Sequence, residues 1–397
     1  MTALELAAPT SSGGSGGAFF LTGHAELVLS NATVRDAEAA GTDAAGGALL
    51  AEDESVVTLD TVTIEDPSAT WGAGIDIDGG TAILTDLRVT GGVATEGGGA
   101  RFHGGAAVSC ERCTWDATSA TEDGGAVVVG TGSSLEDLDG SWLGTIAAGS
   151  GGGLVLEGTA SVTLDRPVFS ACEAGVDGGA IAAEPDSTLA VSDGSFTTNL
   201  AAVGDGGALW SDGGVDLTDE TFDGNTASRG AGGAVGATGT LAVDGTRFTD
   251  NTADDAGGAV YTEDSDATTL RDTVFYRNSA ELLPSSVRVL GAVRDVMLAH
   301  PDIPYFLVEG HANQNGPDTY NLRLSDARAF SVMRWLAENG VPESRLLSKG
   351  FGEARPLAAG TDAEAMALNR RVEFRVVQVE DIPEGARRLK LPEEVRP

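Results

Sequence analysis

Asp76 and Asp78 stand two residues apart, so on any strand they share one face. Paired carboxylates are the equipment of glycoside hydrolysis. Aspartate is so abundant around them that close pairs must arise by chance, and the pair reads first as a solvated strand face. Eliminative cleavage of a uronate would need a Lys or Arg beside a metal-bound substrate. Lysine is absent before Lys349, and the nine arginines between Arg35 and Arg277 are scattered along the chain. Cys110 and Cys113 form a lone C-x-x-C with no second pair, so a zinc site is not expected. On a straight strand their side chains point to opposite faces. They therefore read as two unpaired small core residues unless the chain turns a corner between them. Cys172 reads as a core filler.

The elements that carry these residues follow from composition and repetition. The chain has 397 residues, 56 of them glycine, with 41% apolar residues and only 5% aromatic. Mean hydropathy is near zero. That excludes wholesale disorder and favours thin layers of Val, Leu, Ile and Ala over a core of large rings. Residues 1–278 hold 43 acids and 9 bases, residues 279–397 hold 17 and 15, and the formal net charge is −36. So acidic a body repels phosphate backbones and anionic lipid, which argues against nucleic-acid binding. No apolar run is long enough for a membrane-spanning helix. No basic stretch followed by an apolar run opens the chain, so a start upstream of Met1, or a processed chain, is expected.

A glycine step followed by an apolar run recurs every 25 to 28 residues, from Gly46-Gly47-Ala48 to Gly257-Gly258-Ala259, with an earlier member at Gly16-Gly17-Ala18. A second series runs in phase: Val34, Ile64, Val89, Trp115, Trp142, Phe169, Phe196, Phe222, Phe248 and Phe275. Asn199, Asn225, Asn251 and Asn278 stand three residues after the last four, and Cys172 takes that place one repeat earlier. Each unit holds two or three short β-rich runs and cannot bury its own apolar face. Stacking about ten units gives a parallel β-helix about 48 Å long, with rings stacked coil on coil and asparagines bonded along the axis. The Gly-Gly-Ala and Phe-x-x-Asn pattern resembles the repeats of the polymorphic outer-membrane proteins. More broadly it is similar to right-handed parallel β-helices.

After Asn278 the texture changes. Ser285 or Ser286 can cap a helix with Val289, Leu290, Val293, Val296 and Met297 on its apolar side, ended by Pro301. A strand follows at 305–310. A loop over 311–323 leads to Ser325 as N-cap of a helix running to Glu338, with Gly340 as its stop. Two further strands lie in "RLLSKGFG" and "RVEFRVVQV", and "TVFYRN" at 273–278 is a plausible opening strand. The order describes an α/β sandwich of about 105 residues.

Gly310-His311, Tyr320-Asn321, Leu324-Ser325, Arg328, Gly350-Phe351-Gly352-Glu353, Pro356 and Asn369-Arg370-Arg371-Val372 carry a resemblance to the OmpA-like peptidoglycan-binding domain. The resemblance implies a βαβαββ fold and a site for the diaminopimelate end of a peptidoglycan stem peptide. It places that site between the loop after the second strand and the start of the second helix. A helix N-terminus and the planar fork of Arg328 suit a carboxylate. By the same resemblance Asn313, Asn321, Ser325, Arg370 and Arg371 belong to the site. The family usually has Asp where this chain has Asn313. The neutral amide replaces a charge-assisted bond, a difference of about 1 kcal/mol.

These readings combine into a parallel β-helix over 1–272, an OmpA-like domain over 273–380 and a polar tail over 381–397. Because Phe275 and Asn278 fit both parts, a direct, rigid junction is expected. The implied protein is a non-catalytic component of a Gram-negative-type envelope, in the periplasm or at the outer membrane. It would hold peptidoglycan without a covalent bond or a cofactor, and its acidic rod would serve as spacer or as a surface for glycan or envelope protein. The competing readings are a wall-tethered polysaccharide lyase or hydrolase and a surface adhesin.

Overall fold

The computed structural model describes residues 4–12, 16–263, 267–276, 278–280, 284–301, 303–312, 322, 325, 329–330, 332–337, 339–358, 369, 371–378, 382–383, 386 and 388. The chain forms two compact units, Met1–Ala253 with Gly257–Ser279, and Asp254–Ala256 with Ala280–Pro397.

The first unit is a parallel β-solenoid. One face is a ten-stranded sheet, a second has eight strands, and the third, with 19 strands, takes two short strands from most coils. A representative coil runs Leu154–Leu156, Ser161–Asp165, Val168–Ser170 and Glu173–Ala174, and pairs in parallel with its counterpart about 27 residues on. The glycine step makes the corner before each ten-stranded-sheet rung. Gly124 has φ +64°, a left-handed conformation that glycine adopts without strain. At Gly125 a Cβ would overlap the Gly152 carbonyl of the next coil.

The in-phase apolar series forms a single column in register, from Val34 opposite Ile64 to Phe248 opposite Phe275. From Trp142 to Phe275 the rings stack with centroids 4.3–5.0 Å apart and planes within 10°. The asparagines bond along the axis beneath it. Cys172 occupies the preceding rung, where its backbone N–H donates to Asn199 Oδ1. Its thiol is wholly buried, which pushes its pKa up to about 11.

The structure corrects three expectations for this unit. Cys110 and Cys113 form a disulfide, because Arg112 between them adopts φ +56° and turns the chain so that both sulfurs face the core. Some arginines are not scattered but ordered by that same corner. Asp86, Arg112, Asp139, Arg166, Asp193 and Asp219 all adopt φ of +50° to +58° there, each three residues before its member of the apolar column. Arg112 bonds Asp86, and Arg166 bonds Asp139, each with two nitrogens. Asp tolerates the left-handed region better than most residues, which accounts for part of the acidity. Finally, Asp76 is wholly buried rather than solvated, and its Oδ1 lies 2.8 Å from His103 Nε2.

The strand over 273–278 belongs to the solenoid. Val274–Tyr276 pairs with Arg247–Thr249, so the first unit ends after Ser279 rather than before Thr273. The second unit begins with helix α1 (Pro284–Ala299). Pro284 opens it, since proline lacks only an N–H that the first turn leaves unpaired, and both serines fall inside that turn. Leu290 and Met297 are buried, but Val296 is exposed and lines a shallow apolar depression with Val293, Phe306, Phe374 and Val376. Strands β1 (Tyr305–Gly310), β2 (Leu346–Gly350) and β3 (Val372–Val377) form one sheet, with β1 central, parallel to β2 and antiparallel to β3. Leu290 and Met297 of α1, with Ala329, Val332, Met333 and Leu336, cover one face. Ile382 and Ala386 pack on the other against Leu307, Leu347 and Val377, so the expected tail begins as part of the unit.

Candidate peptidoglycan site

The motif residues of the second unit converge at one end of its sheet because β1 and β2 run in parallel and β3 enters from the same end. Gly310 pairs with both Gly350 and Val372. Beyond that edge the His311 N–H donates to Arg371 O, the Phe351 N–H to Gly310 O and the Ala312 N–H to Gly352 O. Three chain segments are thereby tied into one platform. Glycine is required at 310, where a Cβ would overlap the Ser325 carbonyl of the crossing helix.

Ser325 is wholly buried. It is itself helical, and so is the exposed Leu322, so the helix starts earlier than an N-cap at Ser325 allows. Its hydroxyl donates to Leu322 O at 2.9 Å and accepts the Gly352 N–H at 2.8 Å. Those bonds turn it inward, to hold the β2 loop against the helix. Asn369 acts similarly on the far side. Its Oδ1 accepts the N–H groups of Leu357 and Ala358, and its Nδ2 donates to Ala358 O.

Arg371 donates from Nε to Glu373 Oε1 at 2.6 Å and from Nη2 to Arg355 O at 3.1 Å. The Arg355 guanidinium lies 3.7 Å from the centre of the Phe351 ring, and His311 stacks near the same ring at 5.7 Å. Burial, with Arg371 next in importance, lowers the pKa of His311. Hydrogen bonding to Arg371 holds Glu373 below the usual carboxylate range. Glu309, buried in β1, receives Arg375 Nη1 at 2.8 Å and Arg355 Nη1 at 3.5 Å. Glu309, His311 and Glu373 can converge on a cation. The arginines already neutralise that set and oppose a second positive charge. The platform is thus a ring of paired charges around a His–Phe–Arg stack.

Of the residues expected to bind, Ser325 and Arg371 are brought to this platform. Asn313, Asn321, Arg328 and Arg370 lie outside the described residues. Glu309 and Arg355 are additions. An acid inside the apolar strand "YFLVEG" is the signal by which Glu309 could have been found.

The profile of the OmpA family matches residues 274–370. The peptidoglycan-associated lipoprotein of Pseudomonas putida is 36% identical over 121 residues, which is 30% of this chain and 72% of that protein. Outer membrane protein A of Bordetella avium is 33% identical over 106 residues, 27% of this chain and 54% of that protein. A crystal structure of the peptidoglycan-associated lipoprotein from Burkholderia pseudomallei, 28% identical, covers 24% of this chain and 81% of its own, with a TM-score of 0.23. Through this C-terminal segment the chain belongs to the OmpA family.

Proposed function

We propose that the protein is a non-catalytic component of a Gram-negative-type cell envelope that holds peptidoglycan non-covalently through its second unit. The solenoid would then serve as spacer or binding surface. The observation that carries the reading is the sheet-end platform. Ser325, Asn369 and Arg371 lock the loops that bear the family motif, as a preformed site for a stem-peptide carboxylate requires. The names of the family relatives in Pseudomonas associate those proteins with the same polymer.

The test is retention of the full chain on purified sacculi, beside Arg328→Ala and Asn313→Asp. Retention that falls in the arginine variant and rises several-fold in Asn313→Asp supports the reading. Retention unchanged by Arg328→Ala, or absent in all three proteins, refutes it.

A further inference from the structure

One polar side chain interrupts an apolar column inside the solenoid. Leu84, Cys110, Asp137, Leu164 and Val191 follow one another in register on successive coils, all of them buried. Asp137 is only 3% exposed, and neither of its carboxyl oxygens has a hydrogen-bond donor. Burying an acid without a partner is costly, and native structures leave few such groups unexplained.

The groups that Asp137 faces are the two sulfurs of the C-x-x-C. The corner over 110–113 sits on the equivalent corner over 137–140 of the next coil. The Arg112 N–H donates to Leu138 O, and the Ser141 N–H donates to Cys113 O. Asp137 is thereby opposite Cys110, and Gly140, one place before the Thr114–Ser141 pair, is opposite Cys113. A Cβ at Gly140 would overlap Asp137 Oδ2, so the carboxyl fills the space that a side chain at 140 would take. Cys110 Sγ, Cys113 Sγ and a carboxyl oxygen of Asp137 lie within 4.8 Å of one another. The Leu84 carbonyl, 3.7 Å from Cys113 Sγ, adjoins the cluster. Glu220 is orphaned in the same way but belongs to no such convergent set among the described residues.

The donor set selects the metal. Two thiolates and a carboxylate bring three negative charges together in an apolar interior, which only a cation offsets. Calcium and magnesium prefer oxygen alone, and copper(I) prefers sulfur alone, whereas zinc accepts both. A C-x-x-C pair is a common half of a zinc site, and the two Cα atoms here are 5.9 Å apart across the turn at Arg112.

We propose that in the reduced chain Cys110, Cys113 and Asp137 bind one zinc ion, which takes the place of the disulfide as the lock on this corner. The disulfide and the ion are alternatives at the same two sulfurs. A phosphine reductant breaks the S–S bond with two electrons. The phosphine takes oxygen from water to become its oxide, and the two protons of that water go to the sulfurs. Zinc then displaces both thiol protons. The site is independent of the peptidoglycan reading of the second unit.

The experiment uses the full chain, reduced by a phosphine in mild denaturant, returned to buffer without oxygen and titrated with cobalt(II). Thiolate-to-cobalt absorption in the near ultraviolet reports sulfur ligation, which carboxylates on the acidic surface do not produce. One equivalent of cobalt should develop this band, and zinc should abolish it. The oxidised chain should show no band, and Cys113→Ser should lose it. Asp137→Asn should weaken binding tenfold or more, while Glu220→Gln and Cys172→Ser should bind as wild type does. Circular dichroism confirms the fold of each protein. If Cys113→Ser fails to refold, Asp137→Asn decides alone, since it keeps the shape of the side chain. No thiolate band in the reduced chain, an unchanged band in Cys113→Ser, or wild-type affinity in Asp137→Asn overturns the proposal.

Discussion

Asn225 Nδ2 donates to Asn251 Oδ1 at 2.9 Å, and that same Oδ1 accepts the Asn225 backbone N–H at 3.0 Å. One side-chain oxygen thus closes two bonds to the preceding coil. Asn225 Nδ2 also reaches Phe196 O, and the pattern repeats from Asn199 to Asn278. Each interior asparagine ties together three coils beneath the ring stack.

Asn225→Ala removes this link and orphans the Asn199 N–H, the Phe196 carbonyl and part of Asn251. An unsatisfied buried group costs about 1–3 kcal/mol. The substitution should destabilise the solenoid by about 2 kcal/mol or more, read as a lower denaturant midpoint. Asn278→Ala, at the end of the ladder, should cost less.

Two buried acids predict a pH dependence. Neither oxygen of Asp137 or Glu220 has a donor in hydrogen-bonding geometry. Burial pushes Asp137 up to about 7 and Glu220 up to about 8, and the amides of Gly140 and Gly194 oppose this only in part. The unfolded chain releases these protons near pH 4. Between pH 4 and 8 the folded chain therefore holds more protons, and their contribution to stability falls as pH rises. Above pH 8 it levels off. Thermal melts from pH 4 to 9 should show a flatter decline in Asp137→Asn with Glu220→Gln than in wild type.

The Cys110–Cys113 bridge closes a very short loop, worth about 2 kcal/mol on chain entropy. Reduction should lower the midpoint modestly and leave the circular dichroism spectrum intact. Cys172, fully buried with its pKa near 11, should resist a thiol reagent until the solenoid unfolds. Rapid native-state labelling at one site in oxidised protein would contradict that burial.

Gly310→Ala should destabilise the second unit alone. The added methyl overlaps the Ser325 carbonyl and separates β1 from the helix that crosses it. A calorimetric scan should lose or down-shift the transition of the second unit while the solenoid transition stays in place, and sacculus retention should fall with it.

The arginine corners should matter little. Arg166 is about half exposed, and its pairs with Asp139 and Asp165 are solvated. Exposed ion pairs contribute about 1 kcal/mol or less. Arg166→Ala should leave the denaturant midpoint nearly unchanged, and a large loss would show that the column acts as a cooperative network.

The sequence alone determined the solenoid, because a period of about 27 residues with glycine steps, an apolar column and asparagines three places on permits one economical packing, unit on unit. It also located the α/β unit and its three strands, whose apolar runs and glycine stops are local signals. What lay beyond it depended on contacts between coils or across the sheet end. The corner at Arg112 joins two cysteines that strand alternation would separate. The neighbouring coil converts Asp76 from a solvated acid into the buried anchor of His103. Val274–Tyr276 fits both units by pattern, and only pairing with Arg247–Thr249 assigned it to the rod. Ser325, read as a helix cap, is turned inward by the Gly352 amide, 27 residues away in sequence. Periodicity reports which side of an element faces the core. Which polar group meets which is set by register and by chain crossings, and these exist only in the folded molecule.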